Sequence, residues 1–541
     1  MPEWHLATAY EAIADTIGDR PALICDNVIR TWTEYDDRAA RLAAVLTEHG
    51  LGPGSKAGIY LHNSNEYQEA HHGINKIRGC PINVNYRYTE EELVYLLDNA
   101  DAEVIVFAAT YADRVEAIRG HLPDLKCLIQ VSDGTNKPLI PGALDFEAVI
   151  ATATPMPRIE RHQDDLYMLY TGGTTGMPKG VMYENGMHCF GISSFSELLG
   201  HDVPETIEDL PGNVLAGIER QGQTKGLVCG PLMHGTGMWI GSIATHLCGG
   251  AVITMKRLGL DAHHLWDEVQ NHQAAFLTIV GDVFARPMLD ALNEAKETGS
   301  PYDISSVRLI ISSGVMWSQE VKEGLLDHHD MVLVDAIGST EGGMGQSIST
   351  RDSRASTAKF DRNEKVKVFN EDDEEVKPGS GEMGMVATQS AMIGYYKDPE
   401  KTAKTARVIN GERYVFPGDF ATVEADGTLT LLGRGSMCIN TGGEKVFPEE
   451  VEEVIKLHDG VIDSLVVGVP DQRFGERVVG VVSTSESIDE VKLLEHCREH
   501  LAGYKLPKNV LFVDEVQRSP NGKANYTWAK ATARDMLGID A

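Results

Sequence analysis

Between Thr171 and Gly180 the chain reads Thr-Gly-Gly-Thr-Thr-Gly-Met-Pro-Lys-Gly, a combination of residues suited to holding an anion. Glycines at Gly172, Gly173 and Gly176 let a backbone approach a phosphate closely, and the hydroxyls of Thr171, Thr174 and Thr175 can donate hydrogen bonds to it. Lys179 supplies positive charge. The apolar run Leu166 to Tyr170 ahead of the loop predicts a strand leading into it. This is not the GxxxxGK[ST] loop, because Lys179 stands between Pro178 and Gly180. A second glycine pattern, Gly379, Gly381 and Gly384, spells GxGxxG but follows an acidic run and Pro378 where a nucleotide-binding turn needs a strand. It predicts an ordinary turn.

The elements that must position such a loop follow from periodicity. Asp36 to His49 has helical spacing of Ala, Leu and Val, Ala57 to Leu61 and Ala102 to Ala108 predict buried strands, and Glu90 to Leu97 predicts a helix between them. Strands alternating with helices imply α/β layers. His201 to Lys225 is polar and turn-rich and predicts a surface loop; Arg351 to Pro378 alternates charges and predicts a solvated edge. Ala421 to Leu432 predicts a hairpin turning at Asp426-Gly427. Beyond Gly433-Arg434 lies a compact unit with a helix after Pro448, strands at Ser464 to Val469 and Val478 to Val482, and a helix from Ile488 to His500.

Composition narrows the classes. A chain of 541 residues exceeds what one core usually organises, so at least two domains are expected. Its 48 basic and 80 acidic residues leave a net charge of −32, which opposes general affinity for nucleic acid or anionic membrane. Any anionic substrate must then be held by local cations and backbone N–H groups. The eight cysteines are scattered without a CxxC, which predicts free thiols in a reducing compartment. No basic-then-apolar leader opens the chain, and the apolar stretch Gly235 to Met255 carries five glycines and His246, so it predicts a buried helix and strand. A cytoplasmic protein is expected.

Further segments follow in order: Pro81-Ile-Asn-Val-Asn-Tyr-Arg-Tyr-Thr89, Pro231-Leu-Met-His234, Ser312-Ser-Gly314-Val315-Met316, and Asp335-Ala336-Ile337-Gly338-Ser339-Thr340-Glu341. After these come Phe416-Pro-Gly-Asp419, Gly433-Arg434, Gly442-Gly443-Glu-Lys445-Val-Phe-Pro, Gly468-Val-Pro-Asp-Gln-Arg-Phe-Gly-Glu476 and Pro520-Asn-Gly-Lys523. Together with the glycine loop, in this order, they resemble the adenylate-forming superfamily, which comprises acyl- and aryl-CoA synthetases, peptide-synthetase adenylation domains and beetle luciferases. The resemblance implies an α/β fold. A large multi-layer N-terminal domain over residues 1–433 would combine α/β sheets with a small β-barrel-like subdomain, and a small mobile α+β lid would span 434–541.

It also implies roles. Glu341 would hold Mg²⁺, a hard cation that prefers carboxylate and phosphate oxygens. Thr340 would touch phosphate, Asp335 would accept from the adenine amino group, and Gly314, Val315 and Met316 would wall the adenine slot, with Ala336, Ile337, Gly338 and Ser339 completing the nucleotide site. Asp419 and Arg434 would reach the ribose. Lys523 would be the catalytic lysine, and Gly442, Gly443 and Lys445 would line a pantetheine tunnel. His234 would stand between the acid and its exit path, although a lone His is as often a satisfied core residue. ATP, Mg²⁺ and coenzyme A, the last as co-substrate, are the implied small molecules, with a homodimer as an open expectation.

The chain departs from the pattern at Ile337, where most relatives stack an aromatic on adenine, at Pro417 for threonine, and at Ser436 and Asn440 in the hinge. With these departures it is similar to a bacterial fatty-acyl-CoA synthetase branch that includes enzymes for carboxylated sterol side chains. A medium-to-long-chain fatty acid or a bulky hydrophobic acid is therefore expected, in a pocket walled by Met238, Trp239 and Met344 with room at Gly342 and Gly343. Two alternatives stay open: an acyl-AMP ligase that loads a carrier protein, and a non-catalytic nucleotide-binding regulator.

Overall fold

The computed structural model describes residues 3–172, 177–256, 259–315, 317–353, 359–441, 444–471, 475–501, 503–518 and 524–539. Of the expected site residues, Gly173, Thr174, Thr175, Gly176, Met316, Gly442, Gly443, Lys523 and the side chain of Lys445 lie outside the described residues. The chain forms two compact units. The first comprises residues 1–342, 348–355 and 390–407, the second 343–347, 356–389 and 408–541, so the expected boundary at 433/434 falls inside the second unit.

Two parallel sheets organise the first unit. In one, Val332–Ser339, Leu309–Ser313, Phe276–Ile279, Lys225–Val228, Ala251–Thr254 and Pro21–Cys25 lie side by side in that order, every neighbouring pair parallel. Helices Gly281–Glu297 and Gln319–His328 make the crossovers that parallel strands require. Between sheet and helices, Leu277, Ile310, Leu333, Trp266, Met288, Trp317 and Leu325 form a fully buried apolar core. The other sheet runs Cys80–Asn83, Lys56–Tyr60, Ala102–Ala108, Cys127–Val131 and Leu144–Asp145, again all parallel. Thr89 caps the helix Glu90–Asn99 in a reciprocal pair with Glu92. A third, antiparallel sheet carries the expected strand into the glycine loop, Leu166–Thr171, and its return, Lys179–Glu184.

The second unit holds a seven-stranded sheet that includes Met383–Thr388, Asp419–Val423 and Leu429–Arg434, the last two being the expected hairpin. Gly427 turns it at a φ of +88°, a value that favours glycine. Gly379 and Gly381 also take positive φ and lead into a strand, in keeping with a turn. A further five-stranded sheet, built on the pairing of Val461–Asp471 with Gly475–Thr484, packs helices Pro448–Lys456, Glu490–His500 and Tyr526–Leu537.

Two expectations are corrected. His201 to Lys225 is not a loop throughout: it contains the helix Leu210–Gln221, opened by Pro211 and seated on Leu210, Val214 and Ile218. Those residues have four-residue spacing, which the acidic flanks obscure in the sequence. Arg351 to Pro378 likewise holds the short strands Lys359–Phe360 and Val366–Phe369, with Phe360, Val368 and Phe369 buried. All eight cysteines are free thiols. No helix among the described residues is long and apolar enough to cross a membrane.

Truncating Leu277, which is fully buried in the central strand of the first sheet, should leave a cavity. Leu277→Ala is expected to cost about 3 kcal/mol, measured by denaturant unfolding of the first unit followed through tryptophan fluorescence. A loss under about 1 kcal/mol would show that the core collapses to fill the gap.

Candidate active site

In α/β sheets ligand crevices form beyond the carboxyl ends of parallel strands, where the chain turns into its crossover. The expected site segments of the first unit sit there. Pro231 to His234 follows Lys225–Val228, Gly314 and Val315 follow Leu309–Ser313, and Thr340-Glu341 follows Val332–Ser339. Gly314 takes a φ of +95°, so a side chain there would strain the turn.

Thr171 and Lys179 are direct register partners, which brings the two ends of the glycine loop together across an antiparallel pair. Gly180 has to be glycine, since a Cβ there would come within 2.8 Å of the Tyr170 ring. Lys179 Nζ lies 3.0 Å from Asp398 Oδ2 and 5.9 Å from the centre of the Tyr395 ring. The Asp398 carboxyl is held below its ordinary range, first by the Lys401 backbone N–H it accepts from and then by Lys179. Tyr395 donates its hydroxyl to Glu341 Oε1 at 2.6 Å. One residue earlier in the chain, the Thr340 carbonyl accepts from the Tyr183 hydroxyl at 2.6 Å. Lys179, Asp398, Tyr395, Glu341, Thr340 and Tyr183 thus form one connected group.

Tyr183 extends the group toward the expected acyl wall. Its ring stands edge-on to Trp239 at 5.8 Å, and His188 packs against both rings, 4.6 Å from Trp239 and 5.0 Å from Tyr183. The Trp239 indole N–H donates to the Tyr167 hydroxyl at 3.2 Å. Burial holds the His188 imidazole down at about 3, so this wall is uncharged at neutral pH. Trp239 and the buried Met238 lie in a π-helical segment, Thr236–Ile243, a geometry frequent at functional sites. A Cβ built on Gly343 would meet nothing within 4 Å, whereas Met344 is buried in the second unit.

His234 is placed by an asparagine. Asn83, at the end of a strand in the second parallel sheet, donates to the carbonyls of Met233 at 2.7 Å and Tyr170 at 2.8 Å. It also accepts from the Tyr170 N–H at 2.7 Å. One buried carboxamide therefore joins the strand before the glycine loop to the turn carrying His234. Asn63 repeats the arrangement, donating to Gly230 O at 3.0 Å and accepting from Leu232 N at 2.8 Å.

Asp335 is buried and ion-paired with Lys322 at 3.2 Å, on the face covered by helix Gln319–His328. Ala336, Ile337, Gly338 and Ser339 continue the strand half-buried, and Glu341 N donates to Ser339 Oγ at 3.2 Å. In the second unit, Asp419 and Arg434 are cross-strand partners, with Arg434 Nε 3.4 Å from Asp419 Oδ1. Glu449 is half-buried beside them, and desolvation of its carboxyl, with the Asp419 charge adding to it, pushes it up to about 7. Gly433 leaves room for that carboxylate and Gly435 for the Phe420 ring, since a Cβ on either would collide.

Among the described residues no cluster of three or more His, Cys, Asp or Glu could hold a metal. A cation here would have to be of the kind bound by one carboxylate together with ligand oxygens. Glu341, fixed by a tyrosine hydroxyl on one oxygen, fits that donor chemistry. Tyr395, Asp398, Tyr183, His188 and Asn83 were not singled out as site residues by the sequence. The run Gly394-Tyr-Tyr-Lys-Asp-Pro399 carried a signal, because Pro399 opens a helix that Asp398 caps.

The chain is similar to known proteins along nearly its whole length. The AMP-binding enzyme family matches residues 10–396 and the AMP-binding enzyme C-terminal domain matches 450–523. A 3-oxocholest-4-en-26-oate–CoA ligase of Rhodococcus rhodochrous is 41% identical, over 99% of this chain and 96% of its own. A medium/long-chain-fatty-acid–CoA/3-oxocholest-4-en-26-oate–CoA ligase of Mycolicibacterium smegmatis is 38% identical, over 97% and 96%. The fold is similar to the crystal structure of an anthranilate CoA ligase in complex with anthranoyl-AMP, at a TM-score of 0.83 and 20% identity over 99% of both chains. It is also similar to ATP-bound MatB from Rhodopseudomonas palustris, at 0.78 and 24% over 98% and 99%. The chain belongs to the AMP-binding enzyme family of adenylate-forming acyl-CoA synthetases, the AMP-forming acid–thiol ligases.

Proposed function

We propose that this enzyme joins a medium-to-long-chain fatty acid, or a bulky hydrophobic acid such as a carboxylated steroid side chain, to coenzyme A. One observation carries the reading: relatives that align over nearly the whole chain act, by name, on such acids. The uncharged wall of Trp239, Met238, Tyr183 and neutral His188 supports it, since a buried cation or carboxylate there would oppose an apolar tail.

The chemistry has two steps. A carboxylate oxygen attacks the α-phosphorus of ATP, forming the acyl–phosphate bond of acyl-AMP as pyrophosphate leaves. The coenzyme A sulfur then attacks the acyl carbon, AMP leaves, and the thiol proton is released. The first step brings together two groups that repel. Lys179 draws the phosphates toward the glycine loop, exchanging its partner Asp398 for ligand oxygens. Thr171, with Thr174 and Thr175, donates to them. Mg²⁺, when bound, neutralises phosphate charge, and Glu341 is the residue to hold it, oriented by Tyr395. Asp335, Gly314 and Ile337 are assigned to the adenine, Asp419 and Arg434 to the ribose. Lys523 is assigned to the charge that develops at the reacting oxygens. The lobe from residue 434 onward is taken as mobile, so that withdrawing Lys523 opens a pantetheine path past Gly442, Gly443 and Lys445 for the second step.

An acid panel read as pyrophosphate release, with and without coenzyme A, should favour octanoate, longer fatty acids or a steroid acid. Preference for acetate or benzoate would overturn the substrate class, and turnover only with a phosphopantetheinylated carrier protein would overturn the acceptor. Lys523→Ala is expected to slow adenylation by about 100-fold or more while thioester formation from supplied acyl-AMP persists; equal loss in both steps would remove its assigned role. Tyr395→Phe frees the Glu341 carboxylate and should lower activity about 10-fold, with more Mg²⁺ needed for half-maximal rate. An unchanged Mg²⁺ dependence would count against Glu341 as the metal residue.

A further inference from the structure

Trp239, half-buried in the wall described above, touches Tyr183, His188 and Tyr167. Tyr183 and His188 stand edge-on to it, contacts that hold an aromatic ring in place over a range of angles. The hydrogen bond from its Nε1 to the Tyr167 hydroxyl, at 3.2 Å, is directional and fixes which way the ring points. An indole N–H can only donate, so its partner has to be an acceptor. The backbone beneath is equally constrained. Gly241, in the same π-helical segment, is so closely packed that a Cβ there would come within 2.7 Å of Thr278 Oγ1 and 2.9 Å of Val228 Cγ2.

Tyr167 is itself anchored. It is buried in strand Leu166–Thr171 and is the direct register partner of Tyr183, so the two side chains leave the same face of the antiparallel pair. His188 stacks on its ring at 4.5 Å and 21°, and His71 stands edge-on at 5.9 Å and 70°. His71 Nε2 lies 3.3 Å from the Tyr167 hydroxyl. Burial holds the His71 imidazole down at about 3 and pushes the Tyr167 hydroxyl up, so both are uncharged at neutral pH. A neutral imidazole keeps one acceptor nitrogen, and the hydroxyl that accepts from the indole has its own hydrogen to give. His71 belongs to helix Asn65–Lys76, whose Gln68 Oε1 accepts from Ser242 Oγ at 2.9 Å. That helix therefore holds the π-helical segment directly through Ser242, and the indole at one remove through Tyr167.

We propose that Tyr167 is a positioning residue for acid selection: its hydroxyl fixes the Trp239 indole in one orientation, and the space left beside that fixed ring sets which acids are activated. The inference rests on the reading of Trp239 as part of the acyl wall. A binding wall discriminates sharply only when its side chains are locked by the residues behind them. An indole that has lost its acceptor turns between orientations, presents several shapes instead of one, and tells acids of different width apart less well.

The test compares Tyr167→Phe, Trp239→Phe and their combination in the full chain. Selectivity is the ratio of kcat/KM between the best and worst of octanoate, a longer fatty acid and a steroid acid. Tyr167→Phe, which removes one oxygen, should lower that ratio by about 10-fold while KM for ATP stays within about twofold. The indole ¹⁵N–¹H resonance of Trp239, one of six tryptophans, is identified by its loss in Trp239→Phe and should move upfield in Tyr167→Phe as the hydrogen bond disappears. In the Trp239→Phe background, which has no N–H to hold, Tyr167→Phe should change selectivity less than twofold. If Tyr167→Phe does not fold, His71→Leu carries the test on the same readouts, with an expected loss of selectivity of about threefold. If Trp239→Phe alters selectivity and the variant at Tyr167 or His71 does not, or if that variant weakens all the acids equally, the positioning role is overturned and the acyl wall stands. An unmoved Trp239 resonance overturns it as well. If Trp239→Phe leaves selectivity unchanged, the reading of the wall and the inference fall together.

Discussion

Local positive charge must be held ready in a protein whose overall charge is strongly negative. Within the first unit Lys179 answers that requirement by resting on Asp398. A lysine left bare beside a glycine loop would lose its solvation without recompense, and one buried with a carboxylate would be hard to release. Here both partners are about one-third exposed, so the pair is weak enough to exchange for a triphosphate. Tyr395 lies under this pair and holds Glu341 by its hydroxyl. The lysine proposed for the phosphates and the carboxylate proposed for a metal are thereby linked through a single side chain.

Much of this architecture was legible in the residues. Leu166 to Tyr170 announced its strand through apolar, β-prone composition, and Asp426-Gly427 announced its turn. Pro448 marked a helix start, and the ordered series of motifs pointed to the family. Less legible was everything that depends on side chains meeting across distant segments. Asn83 sits within a quoted motif, yet nothing local says that its amide reaches Tyr170 and Met233. Tyr395 and Asp398 are far along the chain from Glu341 and Lys179, and proximity of that kind is created by the fold. The helix Leu210–Gln221 was hidden for another reason: its buried face holds only Leu210, Val214, Gly217 and Ile218, and glycine, proline and acidic neighbours outweigh it in a reading of composition.

In the second unit, two glycines show how close packing constrains a boundary. Gly433 lies against the Glu449 carboxylate and Gly435 against the Phe420 ring, so the strand carrying Arg434 is pressed onto the helix that begins at Pro448. Asp419, Arg434 and Glu449 lie together, two acids and one base. Loss of solvation, with the neighbouring Asp419 charge adding to it, is why the Glu449 carboxyl titrates near neutrality.

The bridge made by Asn83 bears on how far this enzyme can be treated as modular. Its amide ties the strand before the glycine loop to the turn carrying His234, so the first eighty-odd residues are more than a platform. Trimming that region to obtain a smaller catalyst, or swapping it for the matching portion of a distant cousin, would unseat the strand before the glycine loop and the histidine turn together. Recombination has better prospects at exposed polar tips such as the Asp426-Gly427 hairpin, where backbone can change without tugging on a shared fastening.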